Sequence, residues 1–157
     1  LTRVNVNLLM QYAALEAIRD KNYLRRCDLI LRKNFLTLKD IINSNFPLRL
    51  VIEPDYGFFV CVDTFGIKAS AQELTIALLK RKCAVYPSDG LGDSYPTSYL
   101  RLNFSTTNSK HFKWLKDSLP EAIKEAESGI YRKAVIDFFS TIGSKRAQRI
   151  IKIIKSI

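Results

Sequence analysis

Histidine is almost missing from this sequence, with His111 the only one. No cysteine or carboxylate stands at metal-ligand spacing from it, and it lies in a helix-patterned stretch beside Phe112 and Trp114, so neither a histidine-built metal centre nor a histidine acid–base site is expected. Cysteine is sparse as well. Cys27, Cys61 and Cys83 are widely spaced, odd in number and set among apolar neighbours, which argues against a disulfide framework or a zinc site and leaves buried free thiols as the plain expectation. No apolar run is long enough to span a bilayer, and no charged-then-apolar leader opens the chain, which begins at Leu1 rather than Met. We therefore expect part of a longer cytoplasmic protein with no transmembrane segment. Internal repeats and low-complexity tracts are lacking, and Gly90-Leu91-Gly92 is too short for a phosphate-binding loop.

What is present suffices for a folded domain: 157 residues, 47% of them hydrophobic, support a sizeable core and argue against disorder. The formal charge of +10 raises the question of nucleic acid. Its distribution answers part of it. From Ile130 onward Arg132, Lys133, Lys145, Arg146, Arg149, Lys152 and Lys155 stand against only Asp137, so +6 of the charge lies in the tail and +4 in everything before it.

Along the chain, residues 7–19 are helix-patterned, with Leu8, Tyr12, Leu15 and Ile18 on one face, and Asp20-Lys21-Asn22 marks a bend or a new N-cap. Leu24, Cys27, Leu31, Phe35, Leu38 and Ile42 then recur at spacings of three or four. This predicts a long amphipathic helix over 23–43 with that stripe buried and Arg25, Arg32, Lys33 and Lys39 outside. Leu48–Glu53 and Phe58–Asp63 are strand-like and joined by Pro54-Asp55-Tyr56-Gly57, a hairpin candidate. Ser70-Ala71-Gln72-Glu73 is a capping box opening a helix through Leu74, Ala77 and Leu78 toward Arg81 and Lys82. Further on, Asn108 or Ser109 caps a helix with Phe112, Leu115 and Leu119 inward. Pro120 should kink it or restart it, since Ser118-Leu119-Pro120-Glu121 suits a helix start. Tyr131, Val135 and Phe138 predict one more helix, and Gly143-Ser144 breaks the chain before a last segment. There Ile150, Ile153, Ile154 and Ile157 form a stripe opposite Lys145, Arg149, Lys152 and Lys155. The stripe is expected to pack on its own protein or a partner subunit, with an anionic membrane or nucleic acid as alternatives. The fold class expected is α+β, a small mainly antiparallel sheet covered by helices and preceded by a long helix.

Cys83–Ser105 reads as a short apolar strand, a loop rich in Pro, Gly, Asp and Ser, and a second strand carrying Arg101 between apolar neighbours. A planar guanidinium suits a carboxylate, because two parallel hydrogen bonds fix the anion's orientation. By itself, an arginine on a strand is most often solvated or structurally paired. Asp89 and Asp93 in the loop read as turn formers rather than an acid pair.

Four pieces in order carry a resemblance: Asn7-Leu8-Leu9-Met10-Gln11, Glu53-Pro54-Asp55-Tyr56-Gly57-Phe58-Phe59, Val85-Tyr86-Pro87, and Tyr99-Leu100-Arg101-Leu102-Asn103-Phe104-Ser105. With a helix-patterned segment in each gap, the chain resembles the C-terminal small domain of class I/II, fold type I aminotransferases, enzymes dependent on pyridoxal 5'-phosphate. The likeness fades beyond Ser128. It implies that Arg101 grips the α-carboxylate of amino acid and 2-oxo acid substrates. It also implies that the loop Pro87–Ser98 closes over the substrate as the small domain turns on the long helix. The cofactor would be held mainly by an N-terminal large domain, through a Schiff-base lysine there, in a full-length homodimer. Ser109-Lys110 and Ser144-Lys145 lack the context of that lysine, so no catalytic, cofactor-binding or metal residue is assigned here, and the chain alone is expected to be inactive. Tyr56 stands where many members have a second glycine, a departure that would narrow the pocket. The wording around Arg101 looks most like aminoadipate or broad-specificity members, though the substrate's side chain is not legible.

The resulting expectation is an interdomain helical segment at 1–45, an aminotransferase-like small domain at 46–128 and a basic amphipathic helical tail at 129–157. Two alternatives stay open: an effector-sensing, aminotransferase-like domain of a transcription regulator, and a stand-alone basic nucleic-acid-binding domain. The second is weakened because aromatic and basic residues are not interleaved on one strand face, which makes nucleic acid an unexpected partner.

Overall fold

The computed structural model describes residues 7–90, 97–106 and 108–157. Helix α1 (Leu8–Arg19) starts where the Asn7 side chain accepts from the Leu9 N–H at 2.8 Å. Helix α2 (Lys21–Asn43) starts at Asp20, whose carboxylate accepts from the Tyr23 N–H at 2.9 Å, so the expected break is a new N-cap. Its apolar stripe buries Leu38 and Ile42 fully, leaves Cys27, Leu31 and Phe35 half-buried, and leaves Leu24 50% exposed. The stripe is thus buried along only part of its length, because the C-terminal half lies on the core while α1 and the first turns of α2 contribute no buried residue. Lys39, expected in solvent, is half-buried and paired with Glu53.

Four strands, β1 (Arg49–Leu50), β2 (Phe59–Asp63), β3 (Tyr86–Pro87) and β4 (Tyr99–Asn103), make an antiparallel sheet in the order β1-β2-β4-β3. Strand β1 is shorter than the sequence pattern. Beyond Leu50 one further ladder bond forms, Val51 N–H to the Cys61 carbonyl at 3.0 Å. Pro54 then has no N–H to give, and Gly57 turns the chain at a φ of 96°, which favours glycine.

Helix α3 (Ala71–Lys80) carries the complete capping box, with Glu73 returning to the Ser70 N–H at 2.8 Å. Helix α4 (Lys110–Glu127) continues through Pro120, so of the kink or restart expected there the restart does not occur. An interior proline removes one hydrogen bond and costs about 3 kcal/mol. Phe112 and Leu119 before it, and Ala122 and Ala126 after it, are all buried in one core, which holds the two halves in one helix. That core joins Leu38, Ile41 and Ile42 of α2, Leu74, Ala77 and Leu78 of α3 and these α4 residues to Val60, Val62, Leu100 and Leu102 on one sheet face. The cysteines are free but half-buried rather than fully buried.

The basic tail folds back on itself. Helix α5 (Arg132–Ile142) ends at Gly143 in the left-handed conformation, and α6 (Lys145–Ser156) begins at Ser144, whose hydroxyl accepts from the Ala147 N–H at 3.1 Å. Ile150 and Ile154 of α6 pack with Ala147 against Val135 and Phe139 of α5, so that part of the apolar stripe is used inside the chain. Phe139, not Phe138, faces inward; Phe138 is 61% exposed. Lys145, Arg149, Lys152 and Lys155 stay exposed on the opposite side. No helix among the described residues is long and apolar enough to cross a membrane.

Two expectations follow for stability. Ile154→Ala, at a fully buried position, should cost about 2–5 kcal/mol in urea unfolding, whereas Ile157→Ala, on the same stripe but solvent-facing, should cost under about 1 kcal/mol. The second concerns Glu125, which accepts from the Tyr131 hydroxyl, from Lys80 at 3.0 Å and from Arg81, joining α3, α4 and the start of α5. These bonds, Tyr131's foremost, hold its carboxyl at about 2, well below the ordinary 4.5. A folded value below the unfolded one stabilises fully above pH 4.5, and that contribution disappears as the pH falls toward about 2. Glu125→Gln should therefore flatten the stability–pH curve across that window, read by thermal melts.

Candidate functional site

Strand alternation divides the sheet into two faces. Val60, Val62, Leu100 and Leu102 point into the helices, and the intervening residues Phe59, Cys61 and Asp63 of β2 and Tyr99, Arg101 and Asn103 of β4 point the other way. The register sets Arg101 directly opposite Cys61 on one side and Tyr86 on the other. Arg49 pairs with Asp63 at the β1 edge, where its guanidinium donates to the carboxylate at 2.8 Å.

Arg101 is held differently. Its guanidinium carbon lies 4.5 Å from the centre of the Phe59 ring and 4.7 Å from that of Tyr86, over the face of both. Among the described residues it makes no ion pair, whereas Arg19, Arg32, Arg49, Arg81 and Arg132 each contact a carboxylate. Arg101 is half-buried. Among the described residues no carboxylate claims its N–H donors, and a guanidinium so placed has the donor geometry to meet an anion.

The surroundings of β4 are tied down. Asn34 of α2 donates to the Phe104 and Thr106 carbonyls at 2.8 and 2.7 Å, fixing the strand's exit. At its start the Ser88 hydroxyl accepts from the Tyr99 N–H at 3.3 Å, within a 3-10 turn (Ser88–Gly90) whose Asp89 accepts from Gln72 at 3.1 Å. Asp89 is thus engaged in turn structure. Asp93 and the centre of the Pro87–Ser98 loop lie outside the described residues.

Other flagged residues fall elsewhere. His111 meets the Thr106 hydroxyl at 2.8 Å through Nδ1 and helps line a cavity of about 250 Å³ with Cys83, Phe112 and Trp114, whose lining does not include Arg101. Burial pushes the Cys83 thiol's pKa up, the reverse of an activated nucleophile. Among the described residues no group of histidine, cysteine and carboxylate side chains is arranged to hold a metal. Tyr56 is 88% exposed at the rim of a groove between α2 and the 54–57 turn. Ser109 and Ser144 are N-cap residues, with Lys110 and Lys145 exposed at the helix starts. Sequence reading missed the two rings around Arg101. Alternation along each strand was the available signal, but the strand order needed to use it was not.

The same fold occurs in solved aminotransferases. The chain superposes on the aspartate aminotransferase from Rhizobium meliloti with a TM-score of 0.54 and 16% identity, over 67% of this chain and 28% of that one. For the alpha-aminoadipate aminotransferase from Thermus thermophilus, solved with N-(5'-phosphopyridoxyl)-L-leucine, the TM-score is 0.53 and the identity 20%, over 73% and 29%. The chain therefore has an aminotransferase-like small-domain fold and spans less than a third of the length of either structure. No protein-family model and no curated protein sequence matches it.

Removing Arg101 should leave the fold intact. Arg101→Ala forfeits two cation–ring contacts and no ion pair among the described residues, so unfolding free energy should fall by no more than about 2 kcal/mol, measured in urea. A larger loss would identify Arg101 as a structural residue.

Proposed function

We propose that this chain is the C-terminal part of a pyridoxal-phosphate-dependent aminotransferase of class I/II, fold type I, and that Arg101 binds the α-carboxylate of its amino acid and 2-oxo acid substrates. One observation carries the reading: on the open face of an aminotransferase-like fold, Arg101 is held without a carboxylate partner among the described residues. In this reading residues 1–45 bridge to a large domain, 46–128 form the small domain and 129–157 a helical appendage. A cytoplasmic homodimer belongs to the same reading.

In this reading the described residues are assigned no cofactor site of their own. Every described lysine is exposed or half-buried. The cofactor, which supplies an electron sink when bound, would be held by the rest of the parent protein. What this chain contributes is orientation. A carboxylate received by two parallel N–H groups is fixed in direction as well as position, which sets the direction of the bonds at the substrate's Cα.

In the full-length protein, Arg101→Ala should lower amino-acid recognition roughly 30-fold to a few thousand-fold, the equivalent of about 2–5 kcal/mol for breaking a desolvated charge pair. Arg101→Lys should restore only part, since the charge returns without the two-pronged geometry. Single-turnover kinetics with several amino acids is the measurement, and unchanged rates for Arg101→Ala would reject the reading.

A further inference from the structure

We propose that Phe59 and Tyr86 are positioning residues for the carboxylate contact, holding the Arg101 guanidinium in place without consuming its charge or its N–H donors. The inference rests on reading Arg101 as that contact and adds how the site is kept ready. Phe59 comes from β2 and Tyr86 from β3, the two strands on either side of β4, so the rings reach the guanidinium from opposite neighbours.

Free arginine side chains have many rotamers, and an anion that binds one must bear the entropy cost of ordering it. The protein has two ways to settle that cost beforehand. A carboxylate partner fixes the guanidinium but occupies its donors and neutralises it, as Asp63 does to Arg49 on this same sheet face. An aromatic face attracts the cation through the ring quadrupole and accepts no conventional hydrogen bond in its plane, so the donor edge remains available. Arg101 has the second arrangement on two sides. Neither ring belongs to the buried core: Phe59 is 40% and Tyr86 45% exposed, although solvent-facing positions on a strand more commonly carry polar side chains.

The test uses the full-length protein, with Phe59→Leu, Tyr86→Leu, Tyr86→Phe and Arg101→Ala assayed on one amino acid and on a primary amine lacking a carboxylate. Each Leu variant should raise KM for the amino acid about 3- to 30-fold, with kcat changed less, as expected for one lost cation–ring contact. Tyr86→Phe keeps the ring and should recover the wild-type KM within about threefold. With the amine, the Leu variants should match wild type, which a general loss of folding would not allow. If Arg101→Ala impairs the amino-acid reaction and the Leu variants do not, the ring role is overturned and the carboxylate reading stands. Equal losses on the amine would also overturn it. If Arg101→Ala is itself without effect, both fall together.

Discussion

The pairing of β2 with β4 is the constraint on which the rest depends. Five registered residue pairs, from Phe59 opposite Asn103 to Asp63 opposite Tyr99, lock the two central strands. Because side chains alternate with a period of two, a slip of one residue would exchange Leu100 and Leu102 for Arg101 at the core. Burying the guanidinium among Val60, Val62 and the leucines of α3, with no carboxylate to meet it, would be far costlier than any local preference it relieved. The hydrophobic face therefore enforces the register, and the register brings Arg101 to the open face.

Charge has a joining role in the parts around this sheet. Glu73 is fully buried, tied to the Ser70 cap and to Arg132 at 3.3 Å, so it closes α3 and also fastens the start of α5. Glu125 gathers Tyr131, Lys80 and Arg81 from two other elements. Both carboxylates join helices and neither forms an ion pair with Arg101. In the last helix Ile150 and Ile154 pack on α5, while its lysines and Arg149 remain solvent-facing. Half of that amphipathic stripe is thus packed within the chain.

The anion site proposed at Arg101 separates support from recognition. Helices α2, α3 and α4 stabilise one sheet face, Asn34 and Ser88 steady the two ends of β4, and aromatic rings steady the guanidinium. None of these supports needs a charge at the site. The fold similarity to aminotransferases covers under a third of their chains.

The sequence by itself determined what depends on near neighbours. The capping box at Ser70, the N-cap at Asp20, the turn glycine at Gly57 and the alternation around Arg101 are satisfied within a few residues, so they were readable. The α+β class and Arg101 as candidate followed from them and from the resemblance. Tertiary structure decided what depends on distant partners. Only packing showed that Leu24 would stay half exposed, that Lys39 would meet Glu53, and that α4 would continue through Pro120 because buried residues on both sides outweigh one lost hydrogen bond. Strand order was likewise hidden: it is β1-β2-β4-β3, and only that order brings Phe59 and Tyr86, separated by a helix in sequence, to either side of one arginine. A ring over a cation is a contact between surfaces, and no spacing along a single strand encodes it.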